Sequence, residues 1–289
     1  MVAAMDPGMV GKLVLITGGT SGIGERSAAA LAKLGAQVVL TGRDEARAVA
    51  VAARLREETG GEVRGLALDL ESLDDVRRFA AGFVQEHPRL DVLINNAGAG
   101  FQERRVTKDG FEASLAVNVL GPYLLTHLLL GALRAGAPAR VVFVNSGLHR
   151  MVKLDWDDLQ SERDYKGFPR AYGRAKLALL LTTNALARRL AGSGVVVHSA
   201  DPGQAATNYG EQWTGLTRFF WYTLMKPFVS TTAQAARSTV ALASEAAFAQ
   251  RSGLYVAPPA KEIKAAAAAY DVAAGDRMLA TVERLLGLV

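Results

Sequence analysis

Tyr172 and Lys176 stand four residues apart in the segment YGRAK, a spacing that puts both side chains on one face of a helix. An isolated tyrosine ionises near pH ~10 and exchanges protons poorly at neutral pH, but a neighbouring ammonium favours the phenolate and lowers that value. Such a tyrosine can give a proton to a carbonyl oxygen during reduction, or take one from an alcohol during oxidation. YxxxK pairs are common on solvated helices, so the pair needs support. Ser146 supplies it, closing the run RVVFVNS, where a hydroxyl at a strand end can bind the reacting oxygen and steady its developing charge.

A second constellation lies near the start. Residues 17–24 read TGGTSGIG and place Gly18, Gly22 and Gly24 between an apolar run and an Ala/Leu-rich segment. Glycines there permit a tight turn and close approach of a pyrophosphate, which the free N–H groups of the following helix attract. Glycines also end strands for purely structural reasons, and the spacing is GxxxGxG rather than GxGxxG.

These residues need elements to position them. The β-branched run of residues 12–17 predicts a strand, and residues 25–34 predict a helix stopped by Gly35. Strands are predicted over 37–40, 63–68, 91–94, 140–144, 195–199 and 254–256. Helices are predicted over 44–59, from Ser72 onward, over 111–133 with Gly121-Pro122 inside, over 172–190 and over 231–243, and residues 265–286 are helix-prone. Strands that alternate with helices imply a parallel sheet covered on both faces, because parallel neighbours need crossover connections. The expected fold is a doubly wound, Rossmann-type α/β sheet in a single domain over 1–289, with 261–289 as a C-terminal helical extension.

Composition narrows the function. With no cysteine, disulfides, thiolate zinc sites and cysteine nucleophiles are excluded, and the four histidines are scattered singly, without metal-ligand spacing. The net charge of +5 arises from 33 basic and 28 acidic residues mixed along the chain, which gives no nucleic-acid tail. No transmembrane segment or signal peptide is expected, and the cytoplasm is the default location.

In order and spacing these motifs resemble the short-chain dehydrogenase/reductase family. Further segments fit it: NNAG at 95–98, Asp69 in LALDL, Asn118, and Pro202-Gly203 with Thr207 in a PGxxxT pattern. The resemblance implies a catalytic set of Asn118, Ser146, Tyr172 and Lys176. It implies cofactor contacts from Gly18, Thr20, Ser21, Gly22, Ile23, Gly24, Asp69, Leu70, Asn96, Ala97, Gly98, Tyr172, Lys176, Pro202, Gly203 and Thr207. Gly42 stands where enzymes that prefer NAD place a carboxylate, and Arg43 follows with a planar fork suited to a 2′-phosphate. The implied cofactor is therefore NADP(H), with NAD as the less favoured alternative. A narrower likeness, to retinol-dehydrogenase-like members, rests on His149 in SGLH, on ALARRLAGSGVVVHSADPG and on RFFWYTLMKPF.

The resulting expectation is hydride transfer between NADP(H) and an apolar carbonyl or alcohol by a homodimer or homotetramer. The alternative is a catalytically silent dinucleotide-binding sensor or scaffold. The segment 204–227, with its aromatic stretch 219–228, is open to three readings: a substrate lid, a subunit contact or a membrane contact.

Overall fold

The structure is a computed structural model and describes residues 7–203 and 231–289. Thr207, the segment 204–227 and the aromatic stretch 219–228 lie outside the described residues. Eight strands form one sheet in the order β3-β2-β1-β4-β5-β6-β7-β8. They are β1 (Leu13–Ile16), β2 (Gln37–Gly42), β3 (Val63–Ala67), β4 (Val92–Asn95), β5 (Ala139–Val144), β6 (Val195–Ala200), β7 (Tyr255–Ala257) and β8 (Lys261–Glu262). All pairs are parallel except β7 with β8. The chain runs outward from β1 in one direction and from β4 in the other, so a crevice opens at the carboxyl ends of these two neighbours.

Alternate residues of each strand feed opposite cores. Leu13, Leu15, Leu93, Val141 and Phe143 face one layer, with α3 (Leu73–Glu86), α5 (Gly121–Leu128), α7 (Phe168–Arg189) and α9 (Val272–Leu285). Val14, Ile16, Ile94, Val142 and Val144 face the other, with α1 (Gly22–Lys33), α2 (Glu45–Thr59) and α8 (Thr232–Ser244). Burying each such side chain stabilises by roughly 1.5–3 kcal/mol. The apolar runs of the central strands are the signature of a sheet covered on both sides.

Besides the stretch 261–289, expected as a helical extension but opening with the edge strand β8, three elements depart from the sequence expectation. The helical region predicted over 111–133 is segmented. A short α4 (Ala113–Leu115) passes into a π-turn (Ala116–Leu120), then into α5 and α6 (Leu130–Ala135), and the Gly121 N–H reaches back five residues to the Ala116 carbonyl. Gly121 is needed there, since a Cβ would stand 2.6 Å from the Leu70 carbonyl oxygen.

The second departure concerns α7, which begins at Phe168 rather than Tyr172. Pro169 sits in its first turn, where a missing N–H costs nothing.

The third lies in the helix-prone stretch 265–286. Its alanines form a 3-10 turn (Ala267–Tyr270), and a helix starts only at Val272, capped by the Asp271 side chain accepting from Ala274 N at 3.0 Å. Alanine propensity yields because Ala265 N donates to the Tyr270 hydroxyl at 2.9 Å and Ala266 N donates to His149 at 3.0 Å. The helix that follows is clamped from below, with the Tyr123 hydroxyl donating to Glu283 at 2.6 Å.

Candidate active site

The glycine turn fills the crevice mouth between β1 and α1, and Asn96 staples it. The Asn96 side chain donates to the carbonyls of Thr17 at 2.9 Å and Gly18 at 3.0 Å. In return the Thr17 hydroxyl accepts from the amides of Asn96 and Ala97, both at 3.1 Å. The closeness demands glycine. A Cβ on Gly24 would lie 2.3 Å from the Gly18 oxygen, and Gly18 itself holds φ +65°. Gly22, at φ +59°, has nothing within 4 Å of such an atom, so its side of the turn is open. Ser21 caps α1 without a side-chain hydrogen bond, which leaves the first N–H groups for an anion. This cradle fits a dinucleotide pyrophosphate.

The end of β2 closes one side of this cradle. Gly19 N donates to Thr41 O at 2.9 Å, and a Cβ on Gly42 would meet Thr20 Cγ2 at 2.5 Å. Glycine at 42 therefore has a packing reason of its own. Arg43 is 73% exposed, with a guanidinium nitrogen 3.6 Å from Glu71 Oε1. Asp69 is half-buried; one of its carboxylate oxygens accepts from Glu71 N at 3.0 Å. Leu70 is buried, its carbonyl against Gly121.

At the reacting end, α7 presents Tyr172 one turn inside its start. Tyr172 is 6% exposed and Lys176 2%. The Lys176 ammonium lies 5.3 Å from the Tyr172 ring centroid and donates to the Val144 carbonyl at 2.9 Å, two residues before Ser146. Burial lowers its pKa to about 7. Asn118 joins from the π-turn, where its amide group donates to Ala99 O at 2.6 Å and Ser114 O at 2.7 Å. Its Oδ1 is buried without a partner among the described residues. That oxygen and the Lys176 ammonium border Gly98 from two sides, at 2.8 and 3.3 Å from where a Cβ would stand. Glycine at 98 is thus required where the Asn118 oxygen and the Lys176 ammonium both come up to the backbone.

Ser146 follows β5 and caps a 3-10 turn (Gly147–Met151), with its hydroxyl accepting from Leu148 N at 3.4 Å. The Asn145 side-chain oxygen accepts from Ser146 N at 2.8 Å and so braces the same turn. The turn lies against α7, where a Cβ on Gly173 would stand 3.0 Å from Leu148 O. After β6, Pro202 and Gly203 turn under Asp201, whose carboxylate accepts from Gly203 N at 2.8 Å and from the Tyr255 hydroxyl at 2.5 Å.

The structure therefore brings Asn118, Tyr172 and Lys176 to one end of the crevice with the Ser146 turn beside them, and the glycine cradle lies at β1. Three contributors escaped the sequence reading: Thr17, Asp201 and Tyr255. The Thr17 side chain acts through backbone amides far along the chain. The acid in the DPG segment was the only visible sign of the second group.

Among the described residues, no helix is long and apolar enough to cross a membrane, and no cluster of three metal-ligating side chains occurs.

Comparison with known proteins agrees with this fold. The family model described as short chain dehydrogenase matches residues 12–215. Retinol dehydrogenase 14 of Mus musculus is 47% identical over 218 residues, which cover 71% of this chain and 65% of that protein. The chain thus spans less than two thirds of that relative, and the expected likeness to retinol dehydrogenases is borne out. Among solved structures, an uncharacterised protein from Mycobacterium paratuberculosis superposes with TM-score 0.79 at 32% identity, over 97% of this chain and 95% of that one. The Pseudomonas aeruginosa RhlG/NADP active-site complex gives TM-score 0.69 at 25% identity, over 88% of this chain and 98% of that one. The chain belongs to the short chain dehydrogenase family.

Proposed function

We propose that this oxidoreductase uses NADP(H) and acts on an apolar alcohol or carbonyl compound, with Tyr172 exchanging the proton. The observation that carries the reading is the buried Lys176 ammonium 5.3 Å from the Tyr172 ring, in the crevice that ends at the glycine cradle. Arg43 supports NADP over NAD, as does the bound NADP of the Pseudomonas relative. The name of the mouse relative supports an apolar alcohol of the retinol kind.

NADP supplies or accepts the hydride when bound. Gly18, Thr20, Ser21, Gly22, Ile23 and Gly24 would hold its pyrophosphate, Arg43 and Asp69 its adenosine side, and Asn96 to Gly98 and Pro202-Gly203 the other walls. In the reducing direction Ser146 donates a hydrogen bond to the substrate oxygen and Tyr172 delivers its phenolic proton there. The Lys176 ammonium stabilises the phenolate that remains, in a site dry enough for that attraction to be strong. Asn118 Oδ1, buried and without a partner among the described residues, can accept a hydrogen bond from a water that carries protons to this end of the site. In the oxidising direction Tyr172 takes the proton instead.

The test is Tyr172→Phe, which keeps the ring and removes only the hydroxyl. NADPH binding by titration should stay near that of the wild type, while NADPH consumption with a panel of apolar ketones and aldehydes falls by about 100-fold or more. Turnover close to the wild type would overturn the assignment.

A further inference from the structure

We propose that His149 is a positioning residue that holds Ser146 in place for the reaction proposed above, by gripping the serine's own carbonyl. The inference rests on that reading of Ser146 and adds a residue to it. His149 is fully buried, and its Nδ1 lies 2.7 Å from the Ser146 carbonyl oxygen. Its Nε2 lies 3.0 Å from Ala266 N. A backbone amide can only donate, so Nε2 is the acceptor, and the ring proton must sit on Nδ1 and point at Ser146. The ring is therefore neutral and held in one tautomer. Burial acts in the same sense, lowering its pKa below the ordinary histidine value.

The grip is itself anchored. The ring meets Tyr255 edge-on, with centroids 5.5 Å apart at 83°. Tyr255 in turn donates to Asp201, which holds Gly203 N, so one chain of contacts joins the serine turn to the Pro202-Gly203 loop. On the outer side the Arg150 guanidinium donates to the Lys264 carbonyl. The segment after β8 thus meets the serine turn at two successive residues. A ring needed only to fill space would have no use for both nitrogens. Here each is spent on a bond that crosses from the turn to its support, and an error of about 1 Å in a reacting group can cost 100-fold in rate.

The experiment compares His149→Asn, His149→Gln and His149→Ala in the full chain. The Asn side-chain amide sits where Nδ1 sits and can still donate to Ser146 O; the Gln side chain reaches instead toward Ala266 N. Turnover should stay within about threefold of wild type in His149→Asn and fall by about tenfold or more in His149→Gln and His149→Ala, with NADPH affinity unchanged throughout. Amide hydrogen exchange over residues 147–152 should follow the same order, slow in wild type and His149→Asn and faster in His149→Gln. Equal behaviour of the Asn and Gln variants in exchange, or wild-type turnover in His149→Ala, would overturn the proposal. If the wild type reduces no carbonyl compound, the proposed function fails, and the exchange order still decides the role of His149.

Discussion

Lys176 lies with its ammonium 5.3 Å from the centre of the Tyr172 ring and donates to a backbone carbonyl, Val144 O at 2.9 Å. A carbonyl dipole returns only part of what water gave the charge, so burial dominates and brings the lysine pKa to about 7. The site thus holds a lysine that gives up its proton far more readily than one in water.

This has a consequence for stability with a definite sign. In the unfolded chain Lys176 titrates near ~10.4, so between about pH 7 and pH 10 the unfolded state binds more protons than the folded one. Stability from this group must therefore rise with pH across that window, by at most about 1.4 kcal/mol per unit, and stay flat below it. Urea denaturation at pH 7 and pH 9 should show the gain in the wild type, and a smaller one in Lys176→Met. Identical pH dependence in the two proteins would refute the buried, easily deprotonated lysine.

Cofactor choice should hinge on Arg43. Gly42 has a packing role against Thr20, so the guanidinium is the remaining discriminator. Arg43→Ala should weaken NADPH binding by about tenfold while leaving NADH within about twofold, a size suited to a charge-assisted contact at an exposed position. Fluorescence titration with both cofactors measures this. Equal wild-type affinities would remove the basis for the NADP assignment.

Asp91 tests the opposite end of the sheet. Its burial alone would raise the pKa, but hydrogen bonds from Arg89 at 2.8 Å, Lys12 at 2.9 Å and Leu13 N at 3.0 Å outweigh that and hold it lowered. The carboxylate joins the start of β1 to the start of β4, away from the crevice. Asp91→Asn should cost about 1–3 kcal/mol of stability and leave turnover of the folded enzyme unchanged. Because the folded pKa is depressed, the stabilisation is present above about pH 4 and fades as pH falls through the lowered value. Loss of turnover without loss of stability would contradict this division between the two ends.

How far the sequence carried the reading depends on whether a feature is local. The strand and helix alternation was legible because a sheet buried on both faces writes long apolar runs into its strands, as in residues 13–16 and 92–95. The glycine turn, Ser146 and the Tyr172/Lys176 pair were legible because their chemistry depends on residue type and short spacing. Residues 265–269 misled for the opposite reason: alanine propensity is local, while the amides of Ala265 and Ala266 are claimed by Tyr270 and by the distant His149.

What the sequence alone determined is the fold class and the family, together with the candidate groups proposed to hold a dinucleotide and move a proton. Only the tertiary structure decided their state. The lysine's lowered pKa comes from burial, the buried, unpartnered Oδ1 of Asn118 beside Gly98 comes from the π-turn that carries it, and the tautomer of His149 comes from an amide in the segment after β8. Desolvation and hydrogen-bond pairing depend on which atoms meet in space, and residues far apart in the chain supply most of those atoms here.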